Sequence, residues 1–331
     1  MKKTTITILS LLIGVISFSQ YQLVWSDEFD GTELNTNIWN YELGASGWGN
    51  NEWQYYTNST NNVDVDTGYL RITAIEESFG GANYTSARIT TENNFEFQYG
   101  KIEARMKLPI GNGLWPAFWM LGANFSTIGW PMCGEIDIME HINYSAYVHG
   151  TIHYENNGHT YQGQQTWVDV TEFQNYSITW DEEWIRWYVN DNIYYSQNIF
   201  NGNGSKEEFH FPFFIILNLA VGGNWPGYPD ANTPFPSSVF VDYVRVYSET
   251  ASIDESEAQT TPLIYPNPGQ DIIQLQNDVE NVQIYNLQGE LILEKQTVEK
   301  SLDISGLSEG VYLTKMLLKN GENRTEKLLK D

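Results

Sequence analysis

Between residues 101 and 108 the chain alternates apolar and charged positions, with Ile102, Ala104, Met106 and Leu108 set against Lys101, Glu103, Arg105 and Lys107. That is the period of a strand with one face in a core and one in water, so the charges are expected outward. Residues 185–189 and 193–195 are apolar and aromatic runs on either side of Asn190, Asp191 and Asn192, which predicts a hairpin. Residues 211–221 are almost entirely apolar and predict a strand buried on both faces, ended by Gly222 and Gly223. Over residues 114–121 the same period places Trp115 and Trp119 on one face, with Leu114 and Phe118 on the other. From 21 to 247 no helical period is sustained. Short strands joined by polar loops predict an all-β fold, an antiparallel β-sandwich of the jelly-roll kind.

The two ends follow other patterns. Lys2 and Lys3, the apolar run 6–16 and then Ser17, Phe18 and Ser19 predict an export signal over 1–19. No later stretch is long and apolar enough to span a bilayer. After residue 248 there is no Trp, no Phe and only three Tyr, and 249–261 is polar and acidic. Residues 20–248 are therefore expected to form a first domain, 249–261 a linker and 262–331 a small second β domain.

Composition narrows the partners. With a formal net charge of −25 and only 17 Lys and Arg among 331 residues, the chain would repel nucleic acid and polyanionic sugars. A neutral polymer meets no such barrier, and the acidity itself suits solubility in a salty exterior. Tryptophan and tyrosine number 12 and 21, more than a core of this size needs, and sugar rings stack on such faces. The single cysteine, Cys133, excludes an intrachain disulfide and is expected to be a buried packing thiol.

The densest chemistry lies at 134–141, GEIDIMEH, where three carboxylates and a histidine sit among apolar residues. A helix would turn Glu135 away from Asp137 and Glu140. A strand puts Glu135 and Asp137 on one face and Ile136 and Ile138 on the other, leaving only Glu140 out of phase. One extra residue at Ile138-Met139, a β-bulge, would bring Glu140 onto the same face. The outer glutamates would then be roughly 13 Å apart at Cα, at ~3.3 Å per step, and their side chains could lean inward over Asp137. Carboxyls at ~5–5.5 Å suit a glycosidase that retains configuration. Three close acids also raise at least one pKa, expected to be that of Glu140. Taken alone, the E-x-D-x-x-E spacing reads equally well as a calcium or ion-pair cluster at a sheet edge.

The flanking residues carry a resemblance. Residues 130–141, WPMCGEIDIMEH, resemble the active-site strand of glycoside hydrolase family 16, in its laminarinase-like β-glucanase branch. Further blocks in family order are 27–29 (DEF), 49–52 (GNNE), 54–57 (QYYT), 84–89 (YTSARI), 113–122 (GLWPAFWMLG), 149–154 (HGTIHY), 218–227 (NLAVGGNWPG) and 241–247 (VDYVRVY). Trp53 departs from the pattern, Leu being more usual there. The resemblance implies a concanavalin-like jelly roll and a secreted endo-β-1,3-glucanase that works with retention. Mixed-linkage β-1,3-1,4-glucan and agarose are the rival substrates. It implies that Glu135 is the nucleophile, Glu140 the general acid/base and Asp137 the group that shares a proton with the nucleophile and steers it.

By the same resemblance Asn51 and Arg88 contact sugar hydroxyls, and His153 hydrogen-bonds near the acid/base or in a leaving-group subsite. Asn218 and Trp225 belong to cleft-forming blocks. If the loop 122–133 folds back, Trp115 and Trp119 line the cleft of Glu135. No cofactor is implied for the chemistry; Glu28, Gly68 and Asp242 match positions where related enzymes hold a structural calcium ion. Within the tail, 265–268 (YPNP), 282–289 (VQIYNLQG) and 302–312 (LDISGLSEGVY) resemble the C-terminal sorting domain of the type IX secretion system, a small β-sandwich that implies secretion machinery as partner. The expected protein is a secreted or cell-surface monomer acting on neutral β-glucan. A lectin-like sugar binder on the same sandwich is the reading from another class, and the intact pair of glutamates speaks against it.

Overall fold

The computed structural model of the chain describes residues 20–200, 206–250, 263–275, 279–286, 290–296, 300–319 and 323–331. The expected export signal at 1–19 lies outside the described residues, as does the expected linker from 251 onward. Two compact units divide after Ala251.

The first unit is built on two sheets. One has eight strands: β1 (Asn40–Glu42), β2 (Arg88–Thr90), β3 (Glu96–Phe97), β4 (Leu114–Gly122), β5 (Glu135–Glu140), β6 (Tyr147–Glu155), β7 (His159–Trp167) and β8 (Phe213–Val221). Their order is β7-β6-β5-β4-β8-β2-β1, with β3 paired to β8. The other sheet has ten strands, with Gly100–Lys107 lying between Gln174–Trp180 and Ser237–Thr250. Facing sides of the two share one apolar core, including Phe118, Met120, Ile136, Ile138 and Met139 from the first sheet and Ile102, Met106, Ile178, Trp187 and Val244 from the second. Described strand pairs are antiparallel except Gln54–Tyr56 with Ala82–Ser86. The antiparallel sandwich expected from the strand pattern is what forms.

Three details differ from the pattern. Glu103 is buried, not exposed, because its strand is interior to the ten-stranded sheet; Lys101 Nζ lies 2.7 Å from its carboxylate and the Tyr247 hydroxyl donates to it at 2.9 Å. The strand expected from 211 begins at Phe213, since Phe211 is exposed and Pro212 has no N–H for the ladder. Ser237–Thr250 runs two residues past the boundary expected at 248, its end paired with Gln20 and Tyr21. The hairpin forms as a two-residue turn, with Val189 opposite Asn192 and positive φ at Asn190 (49°) and Asp191 (62°).

The second unit has a three-stranded sheet (Ile264–Tyr265, Ile272–Leu275, Ser301–Asp303) and a four-stranded one (Val279–Tyr285, Leu291–Gln296, Gly310–Leu318, Asn323–Lys330). Ile264, Ile273, Val282, Ile284, Leu302, Met316 and Leu328 make its core.

Candidate active site

The loop after β4 does fold back, so β5 runs antiparallel beside it, with Leu121 opposite Glu135, Trp119 opposite Asp137 and Ala117 opposite Glu140. On its other edge Glu135 faces His153, Asp137 faces Thr151 and Glu140 faces His149. Three steps along β5 from Asp137 to Glu140 thus match two along β6, which is the bulge at Ile138-Met139. Ile136, Ile138 and Met139 go into the core, and the three acids share the opposite face. Trp187, from the second sheet, donates its indole N–H to the Asp137 carbonyl at 2.8 Å, holding the bulge from below. Gly150 makes room for it: a Cβ there would lie 2.4 Å from the Trp187 ring and 2.5 Å from the Tyr194 hydroxyl.

Each acid has distinct company. Glu135 accepts the Trp130 indole N–H at 2.8 Å, and its other oxygen lies 3.7 Å from His153 Nε2. Asp137 is buried, with Oδ2 at 3.1 Å from the same nitrogen. Glu140 accepts the Trp115 indole N–H at 3.0 Å. Burial, then the charge of Asp137, pushes the Glu135 carboxyl up to about 8. Burial likewise pushes Asp137 up to about 8, and burial followed by the charges of Asp137 and Glu135 holds Glu140 well above the usual carboxylate range. The expectation of a raised Glu140 holds, and all three acids share its cause.

In the unfolded chain these acids ionise near pH 4, whereas folded Glu135 keeps its proton to about 8, so folding binds protons in that window and stability falls as pH rises through it. Glu135→Gln, which keeps an acceptor for Trp130, should raise the melting midpoint at pH 8 and leave it nearly unchanged at pH 4. Each kcal/mol relieved corresponds to about 2–4 °C, measured by thermal melts at the two pH values.

The remaining sequence-derived residues spread along the same face. Trp119 donates to Asn218 Oδ1 at 2.7 Å, and buried Asn218 donates on to the Tyr56 hydroxyl at 3.3 Å, so Asn218 positions a tryptophan. Arg88 pairs with Glu42, its guanidinium 4.9 Å from the Trp48 ring centre and 4.8 Å from that of Trp119. Asn51 is exposed and donates to Asn224 Oδ1 at 2.9 Å. Trp225 is exposed and meets Trp115 and His149 edge-on at 5.5 and 4.9 Å. His153, expected near the acid/base or in a leaving-group subsite, stands opposite Glu135 in the antiparallel register, and His149 stands opposite Glu140.

At the positions expected to hold calcium, the side chains of Glu28 and Asp242 are each engaged by an arginine. Arg245 grips both oxygens of Glu28 at 2.9 and 2.8 Å, and Arg105 pairs with Asp242; Gly68 sits in a turn with φ 81°. Cys133 is buried as expected, and burial first, then the charge of Glu135, pushes its thiol up to about 12.

Sequence reasoning missed Trp130, His149, Thr151, His159 and Tyr161. The last four were legible, because 149/151/153 and 159/161 alternate along strands and must share faces. They line a cavity of about 580 Å³ together with Glu140 and Trp225. Trp130 gave no periodic signal, since it comes from the loop before β5.

Residues 50–245 match glycosyl hydrolases family 16, and residues 263–331 match the secretion system C-terminal sorting domain. The clotting factor G alpha subunit of Tachypleus tridentatus is 41% identical over 238 residues, 70% of this chain but 35% of that protein, so the chain spans about a third of its length. The beta-glucanase of Rhodothermus marinus is 40% identical over 271 residues, covering 75% of this chain and 95% of that one. The solved laminarinase catalytic domain from Thermotoga maritima superposes with a TM-score of 0.62 at 44% identity, covering 70% of this chain and 99% of the other.

Proposed function

The chain belongs to glycosyl hydrolases family 16, and from that premise we propose that it is an exported endo-β-1,3-glucanase that hydrolyses internal bonds of laminarin-like glucan with retention. The observation that carries this reading is the bulge, which brings Glu135 and Glu140 to one face with Asp137 between them. Glu140, protonated at neutral pH by its buried setting, gives its proton to the departing glycosidic oxygen. Glu135, whose proton first passes to the neighbouring Asp137 and His153, attacks the anomeric carbon as a carboxylate while the bond to that oxygen breaks, forming a glycosyl ester. Water then attacks the same carbon, Glu140 takes its proton and Glu135 leaves as carboxylate. Asp137 and His153 steer Glu135 and share its proton, and Trp130 holds one of its oxygens by an N–H that favours the ionised form.

Trp115, Trp119 and Trp225 supply faces for sugar rings, and Asn51 and Arg88 hydroxyl contacts. No cofactor is needed, since two carboxyls and water supply every proton and nucleophile. The sorting domain addresses the chain to secretion machinery, so it acts outside the cell or at its surface.

Reducing-end release on laminarin, mixed-linkage β-glucan and agarose tests the reading. Laminarin should be cut fastest, with the anomeric configuration retained by NMR. Release from agarose alone would overturn the linkage, and inversion would overturn the mechanism. A chain ending at Ala251 should keep full kcat on soluble laminarin, because the site is complete within the first unit. Its loss would join the tail to catalysis.

A further inference from the structure

The acids and histidine at the Glu135 end form a compact set of donor atoms. One ligand atom from each of Glu135, Asp137 and His153 lies within 4.8 Å of the others. His153 Nε2 stands 3.1 Å from Asp137 Oδ2 and 3.7 Å from Glu135 Oε1. Ligands bound to zinc at ~2.0–2.2 Å in a tetrahedron are ~3.3–3.6 Å apart, so both spacings from His153 approximate edges of one, with the two carboxylate oxygens also within 4.8 Å of each other. Asp137 is 3% exposed, and its Oδ2 accepts no hydrogen bond of good geometry although the imidazole nitrogen is close. A second histidine accounts for that. His153 Nδ1 and His159 Nε2 are 2.8 Å apart with their rings stacked at 5.1 Å; when Nδ1–H donates to His159, Nε2 presents a lone pair toward Asp137. A cation that displaces the carboxyl protons would then meet a nitrogen and two carboxylate oxygens within 4.8 Å of one another. A ligating imidazole whose other nitrogen is hydrogen-bonded is the usual supporting arrangement.

We propose that Glu135, Asp137 and His153 form a binding site for one Zn²⁺ ion, oriented by His159, and that zinc there blocks the site reversibly by capping the carboxylate of Glu135. An imidazole donor with only two carboxylates favours zinc over the hard ions Ca²⁺ and Mg²⁺.

Calorimetric titration of the full chain with zinc chloride reads the site without any assay of hydrolysis. One saturable site is expected. His153→Gln should weaken it at least tenfold, His159→Ala should weaken it by a smaller factor, and calcium chloride should give no saturable heat at the same concentrations. Absence of a saturable zinc site, or equal affinity in His153→Gln, overturns the proposal. Should His153→Gln fail to fold by circular dichroism, Co²⁺ added to the native chain decides: intense visible bands of four-coordinate cobalt, lost on adding zinc, support the site, and the pale spectrum of hydrated cobalt overturns it. Zinc bound by a chain that cuts no glucan would sink the hydrolase reading alone, whereas hydrolysis of laminarin at full rate in saturating zinc would sink this one alone.

Discussion

Glu135→Ser is expected to abolish reducing-end release from laminarin, kcat falling on the order of 10⁴-fold or more, with the fold intact by circular dichroism. Serine offers no carboxylate for the anomeric carbon, and removal of a nucleophile from a covalent mechanism costs about that much or more even when every other group stays in place. Nothing nearby can substitute. Asp137 is shorter, buried and held low on the same strand, and Cys133 keeps its proton to about 12. The variant loses the acceptor of the Trp130 indole N–H, but that group lies at a wet surface, so the fold should tolerate the change. Binding should survive, with oligosaccharide affinity by calorimetry close to that of the native chain. Native rates in Glu135→Ser would remove Glu135 from the chemistry.

Glu140→Gln should lower kcat on laminarin by about 10²–10⁴-fold, the range that a positioned proton donor contributes. A substrate with an activated leaving group, such as a nitrophenyl glucoside of a β-1,3-glucan oligomer, departs without a proton, so its glycosylation step should suffer far less. The pH profile separates this role from a merely structural one. Glu140 must be protonated to act, and burial with two neighbouring charges raises its pKa, so the alkaline limb of kcat/KM on laminarin should reflect loss of its proton. In Glu140→Gln that limb should flatten. The acid limb, set by ionisation of the Glu135–Asp137 pair, should remain. A steep alkaline limb persisting in the variant would assign the acid elsewhere.

Trp115 shows why such a site is not a sum of separate residues. Its indole N–H holds Glu140 at 3.0 Å, and its edge meets Trp225, which lines the cavity, at 5.5 Å. Trp119 is used similarly, anchored by Asn218 and backed by Arg88. The tryptophans are therefore expected to act on proton position as well as on binding.

The amino-acid order by itself determined which side chains can share a face. A strand has period two, so GEIDIMEH already separated Ile136 and Ile138 from Glu135 and Asp137, and the mismatch at Glu140 called for one extra residue, which the register supplies. It determined the sandwich too, through alternating and fully apolar runs. Tertiary structure decided what those faces meet, because contact between strands depends on register and direction, and neither is encoded in any single strand. Antiparallel pairing set His153 against Glu135 and His149 against Glu140, an interior place in the sheet buried Glu103, and arginines from distant strands took the carboxylates of Glu28 and Asp242. Trp130 and Trp187 reach β5 from a loop and from the opposite sheet, and only the folded chain brings an indole N–H to each side of that strand.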